Sequence, residues 1–436
     1  MNTEEFIGLV FMPNQSLYYL LLLFSIIVYA IIYRKYYISI IDPSFLEVIN
    51  SMFGFSVVLL LWFTDNMSLY YFSNYLTSQM AFWVGFIYIS KRGSSLSDSM
   101  IKVKDEKNML KCIFFISLIF YVATTILGYI VLGIPILAES RLDITANAQN
   151  GMGVLSRFSY LSIICIYCTL HFRLLKSRDR IVKIMQIATI LFFCVTSILT
   201  GSKSAFLKLA FVYFGFVILN RTYDKKLYES LKNTQLYFMC LGVLAAFFII
   251  VITTEGNIWS GISVFLLRLI GNGDVYWLGY PNGVVEDVPY KNPFIVLFQS
   301  FLGFFRLVPH ADFPEPIGYT LSSFFYDKTS LTGANARHNI FGYVYFGFYG
   351  SIVFSFILGW IIGYIRNLFV NMKKYSVTFK IIVLLLYISV FSLECDPTLY
   401  LSYLTDILVT LPIILILSII LYLNNVSSRN FISNVQ

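Results

Sequence analysis

The stretches "YYLLLLFSIIVYAIIY" (residues 18–33) and "LPIILILSIILYL" (residues 411–423) decide the fold class. Neither alternates at period two, as the strands of a membrane barrel would over about ten residues. Both are continuously apolar, and a helix needs about 20 such residues to cross the hydrocarbon core of a bilayer. Similar runs recur along the whole chain. Of its 436 residues, 58% are apolar and only 12% charged, against about 25% charged in a soluble domain. There is too little polar surface to cover a water-soluble globule. The sequence therefore predicts an all-α, polytopic membrane bundle forming a single transmembrane domain over residues 1–436.

Eleven spans are expected, with a twelfth possible: 17–33, 45–63, 69–90, 111–132, 153–172, 182–199, 205–220, 235–253, 339–365, 378–394 and 404–423. Basic segments follow every second span, among them "YRKYY", "RLLKSRDRIVK" and "RNLFVNMKKYS". Lys and Arg concentrate in cytoplasmic loops, so these loops are expected inside, and the net charge of +8 needs no nucleic acid to explain it. The first apolar run reads as a retained span because no small-residue cleavage site follows it. Five of the six cysteines fall in apolar runs, which argues against a disulfide framework. Cys165 and Cys168 have the spacing of half a metal site without a second pair, so no metal and no cofactor are expected.

The opposite side carries "GIPILAESRLDITANAQNGMG" (133–153), "TGSKS" (200–204) and a long loop over 254–338. Within that loop "NPFIVLFQSFLGFFRLV" (292–308) reads as a helix lying in the membrane interface. Arg141, Lys203, Arg268 and Arg337 each sit in a short polar signature on this side. Converging on one cavity, they would bind a multivalent anion such as a lipid-linked pyrophosphate, because guanidinium pairs with phosphate bidentately. Each could instead pair with a nearby acid: Arg141 with Glu139 or Asp143, Arg268 with Asp274. Lys208, Lys291, Arg306 and Lys328 read as cations reaching for headgroups.

His338 stands beside Arg337 at the start of an apolar run. A neutral imidazole there could take the proton of an attacking sugar hydroxyl, and a neighbouring cation would keep it deprotonated. The alternative is an interfacial histidine bonded to a headgroup or backbone. His171 and His310 read that way. Gly342, Gly347 and Gly350 read as helix-packing positions. The loop acids Glu286, Asp287, Asp312 and Glu315 do not form a convincing glycosidase pair. A donor already activated by pyrophosphate needs only stabilisation of the departing charge.

Four stretches carry a resemblance. They are "GIPILAESR" (133–141), "TGSKSAFLKL" (200–209), "LLRLIGNGDVYW" (266–277) and "RHN" followed by "GFYG" (337–339, 347–350). Together, in order, they resemble bacterial O-antigen polymerases, the oligosaccharide repeat unit polymerases, which form a wider group with the O-antigen ligases. Lys203 stands where that group more often has arginine. The resemblance implies a C-type-like glycosyltransferase fold with a large periplasmic loop, in the bacterial inner membrane with its active site facing the periplasm. It implies transfer of a growing glycan from undecaprenyl pyrophosphate to the non-reducing end of a lipid-linked repeat, without metal and with inversion, in lipopolysaccharide O-antigen biosynthesis. Arg268 and Arg337 would hold the donor pyrophosphate, and His338 would activate the acceptor or orient the pyrophosphate. Arg141 and Lys203 would bind the second pyrophosphate or the glycan. Expected partners are the two lipid-linked glycans, membrane lipid and a chain-length regulator protein. A ligase would use the same donor with a different acceptor. A flippase should show cations deep in the spans and structural repeats, and the sequence displays neither.

Overall fold

The computed structural model describes residues 1–90, 106–137, 152–175, 179–201, 206–221, 225–253, 258–309, 313–326, 333–372 and 375–435. Among these residues the regular structure is helical throughout, with no strand. In chain order the helices are α1 (Gln15–Tyr33), α2 (Pro43–Phe63), α3 (Leu69–Ser90), α4 (Glu106–Leu132), α5 (Leu161–Leu174), α6 (Arg180–Leu199), α7 (Leu207–Asn220) and α8 (Lys225–Thr253). There follow α9 (Ile258–Ile270), α10 (Asp274–Gly279), α11 (Pro293–Phe304), α12 (Ile317–Ser323), α13 (His338–Asn371), α14 (Val377–Val390), α15 (Ser392–Cys395) and α16 (Pro397–Val435). Each of the eleven expected spans coincides with a helix. Eight helical stretches are long and apolar enough to cross a membrane, so the chain is a multi-pass membrane protein. Of the remaining three, α7 has 14 residues, which gives only about 21 Å at 1.5 Å per residue.

The lipid-facing surface is written in the periodicity of α6. Ile181, Ile184, Ile187, Leu191, Val195 and Ile198 are all exposed and fall three or four residues apart, forming one ridge. The opposite ridge (Val182, Gln186, Thr189, Phe193, Thr196) is buried.

The chain packs as two compact units. The first comprises residues 1–94, 246–368 and 387–403; the second comprises 95–245, 369–386 and 404–436. The first unit is organised by rings, including a Phe6–Trp277 stack at 4.2 Å and a Phe55–Tyr75 stack at 5.9 Å. In the second, Arg157 pairs with Asp406 at 2.6 Å, and Lys380 donates to Asn220 Oδ1 at 2.9 Å.

One expected span is built differently from its reading. Gly347 interrupts α13 with φ 67° and ψ −171°, a region open essentially to glycine alone. There the chain reverses. His338 Nδ1 lies 2.9 Å from Ser355 Oγ, 17 residues away, whereas an unbroken helix would separate them by about 25 Å. Phe341 stacks on Phe354 at 5.4 Å, and a side chain at Gly342 would meet Ser351 Cβ at 2.9 Å. The first arm, 338–346, therefore folds back on the second, 348–371. Gly342 serves close packing as expected. Gly347 is the turn. The continuous apolar pattern hides it because both arms bury apolar faces.

The helix expected over 292–308 appears as α11, capped by Asn292, whose side chain accepts from Phe294 N at 2.9 Å. Phe294, Phe298 and Phe301 are exposed along it.

Candidate functional site

The second arm of α13 packs against α3 through glycines. Added side chains at Gly85 and Gly359 would collide with the backbone carbonyls of Phe356 and Phe82, and one at Gly363 would meet Phe86 O at 2.7 Å. Backbones this close bring polar side chains into register. Asn74 Nδ2 donates to Ser351 Oγ at 2.8 Å and to Phe348 O at 3.1 Å.

The hairpin thus carries "RHN" into the unit's interior rather than leaving it at a surface. Ser355, the partner of His338, lies eight residues beyond Gly347, about 12 Å along the arm. Arg337, His338 and Asn339 are 2%, 1% and 1% exposed. Arg337 holds a left-handed φ of 43°, a conformation that costs about 1–3 kcal/mol and persists where surroundings impose it. Its N–H donates to Cys395 O at 2.8 Å, which fixes the segment.

Arg337 Nε donates to Asn272 O at 3.3 Å, and Nη1 donates to Ser51 Oγ at 3.2 Å. Ser51 donates onward to Glu394 Oε1 at 2.6 Å. Arg337 Nη2 is enclosed and has no hydrogen-bond partner. Gly54 admits the Asn272 carbonyl, which would stand 3.3 Å from a side chain placed there. The His338 ring stacks on Phe82 at 4.7 Å. Asn339 accepts from Tyr276 OH at 3.0 Å and donates to Ser78 Oγ at 2.8 Å.

Asp274 opens α10, its Oδ1 accepting from Val275 N at 2.8 Å. The residue as a whole is partly exposed. Even so, surrounding protein pushes the carboxyl up to about 7, against the opposing pull of the Val275 N–H and the Arg337 charge.

Of the five residues expected to form the site, Arg337 and His338 come together in this cluster. Arg268 is exposed on α9, and its carbonyl accepts from Asn272 Nδ2 at 3.5 Å, while the Asn272 carbonyl receives Arg337. Arg141 and Lys203 lie outside the described residues, as do His310, Asp312 and Lys328. His171 is 4% exposed and lies against Tyr167 and Phe216, at 6.0 and 6.2 Å. It is a core histidine rather than an interfacial one. Glu286 takes hydrogen bonds from Tyr71 and Tyr343 at 2.7 and 3.1 Å, a structural role.

The residues missed from the sequence are Glu394, Glu47 and Ser51. A signal was present, because an acid inside an apolar run is expensive and marks a partner or a function. Glu47 accepts from Asn50 at 3.0 Å, and its Oε1 is enclosed without a partner.

Chemically the cluster offers one unsatisfied guanidinium nitrogen, an enclosed imidazole bonded to Ser355, and two carboxyls, of which Glu394 is buried and Glu47 partly so. No three His, Cys, Asp or Glu among the described residues gather as a metal site. No family model, curated protein or solved structure matches the chain.

Proposed function

We propose that this chain is an oligosaccharide repeat unit polymerase of the O-antigen type, moving a glycan from a polyprenyl pyrophosphate to a lipid-linked repeat. The observation that carries the reading is the free Nη2 of Arg337 beside His338, inside a multi-pass helical chain with motifs in the polymerase order. A buried guanidinium with an unused donor suits the oxygens of a pyrophosphate. It would steady the negative charge that develops as the glycan departs. His338 would orient the acceptor or the pyrophosphate once the hairpin moves away from α3, since the imidazole is enclosed as it stands. Arg268, on the same segment as Asn272, would extend the cationic path outward.

Translocation of the same lipid-linked repeat is the second reading. Its support is two cations enclosed by protein toward the ends of their helices, Lys380 of α14 and Arg366 of α13, which are 1% and 7% exposed. Cations enclosed within a membrane bundle are costly and often mark substrate or ion paths.

Surface lipopolysaccharide from a strain lacking the gene separates these readings. A single repeat on the core, restored to a ladder by the wild-type gene and not by Arg337→Lys or His338→Ala at equal protein level, is the expected result. Core without any repeat would sink the polymerase reading in favour of ligase or transporter. An unchanged ladder from His338→Ala would remove His338 from the chemistry.

A further inference from the structure

Glu394 in α15 is 4% exposed and receives the Ser51 hydroxyl at 2.6 Å, while Ser51 receives Arg337 Nη1 at 3.2 Å. Glu394 and Glu47 sit near Arg337 without closing a direct ion pair with it. The titratable groups in electrostatic reach of Glu394 are Glu47 of α2, Tyr29 and Tyr33 of α1, Tyr37 just after it, Tyr276 of α10 and Arg337. The Arg337 guanidinium faces two carboxyls, Glu47 and Glu394, and also reaches Asp274, while Arg366, the second guanidinium of the Glu394 cavity, is in electrostatic reach of the buried Asp42. With Glu47 and Glu394 both ionised, a net negative charge would stand in an apolar interior, where it is costly. One bound proton removes that charge.

Glu394 is better placed than Glu47 to hold the proton. It is the more enclosed of the two. It also lines a cavity of about 10 Å³ shared with Tyr33, Tyr37, Ser44 and Arg366, roughly the room one water needs. Tyr37 OH and Arg366 Nε, both on residues lining this cavity, have no hydrogen-bond partner. Arg366 is 7% exposed. Such orphaned atoms call for a solvent molecule, which is the means of delivering a proton to a buried carboxyl.

We propose that Glu394 is the proton-binding group of this unit, and that its proton sets how strongly Arg337 holds an anion. The inference rests on reading Arg337 as an anion site. Protonation forms one O–H bond on Glu394 at the expense of one on the donating water, and takes the carboxyl from −1 to neutral. Arg337 then loses the countercharge relayed through Ser51 and has more to gain from a phosphate oxygen. Linkage makes the effect reciprocal, so a bound anion must tighten the hold on the proton.

The test is infrared titration of the full chain in lipid nanodiscs, following the carbonyl stretch of protonated carboxyls, with inorganic pyrophosphate as the probe and its binding heat measured in parallel. The expected band is present in acid, fades as pH rises, is missing in Glu394→Gln and survives in Glu47→Gln. Saturating pyrophosphate should move its loss to higher pH by about one unit, matched by an affinity about tenfold weaker on the alkaline side, with both effects absent in Glu394→Gln. A band that survives in Glu394→Gln overturns the assignment. A titration unmoved while pyrophosphate binds overturns the coupling and leaves the Arg337 anion site standing. No binding heat at any pH removes the anion site, and the coupling with it.

Discussion

Gly347 shows how much one residue decides. A side chain there would meet nothing within 4 Å, so any cost of adding one is conformational. Gly347→Ala should lower stability by about 1–3 kcal/mol, read as a lower thermal midpoint in detergent. Gly8 also has open space and lies in a helical segment without positive φ, so Gly8→Ala should hold or raise the midpoint. If both variants melt together, the backbone argument is wrong. Asp274 makes a second prediction. Its folded carboxyl is raised to about 7 from an ordinary 3.8, so the folded state holds the proton more tightly than the unfolded state does. This contribution to stability is complete below the ordinary value and is lost as pH climbs from about 4 to 7. Asp274→Asn should flatten that limb of the stability profile, and an unchanged profile would show that the carboxyl titrates normally.

At the scale of elements, the α3–α13 contact is backbone against backbone, with Gly85, Gly359 and Gly363 as its enabling positions. Gly359→Leu should force the helices apart, break the His338–Phe82 stack and reduce the folded fraction recovered in detergent far more than Gly8→Leu. Equal recovery would mean that the arm can yield. This contact also marks where the sequence is legible. Helices such as α1 follow from continuous apolarity, which obliges the backbone to satisfy itself inside lipid. Gly347 gives no such signal, because a left-handed turn leaves hydropathy untouched. Glu47 and Glu394 went unread for a related reason: each is a single charge averaged away by its apolar neighbours. Arg337 and His338 were readable as chemistry, but their depth was not, since depth depends on a reversal ten residues downstream.

At the scale of the molecule, two ion pairs among the described residues differ in burial. The Arg157–Asp406 side chains are 19% and 16% exposed, against 27% and 34% for Lys111–Asp179. Arg157→Ala strands a mostly enclosed carboxylate and should cost about 1.5–3 kcal/mol, while Lys111→Ala should be nearly silent. Thermal midpoints of the two variants at low and high salt check this, and an equal loss in both would refute the burial argument. The reversal at Gly347 also governs biogenesis. As the polypeptide leaves the ribosome, the first arm of α13 is nine residues long, about 13.5 Å, too short to rest across a bilayer by itself. Its starting amide is secured by the Cys395 carbonyl, which is synthesised nearly sixty residues later. The polar cluster must therefore stay unassembled until the chain has been made through α15. A nascent chain arrested before Cys395 would carry every element of the first arm and still lack the lock that holds it.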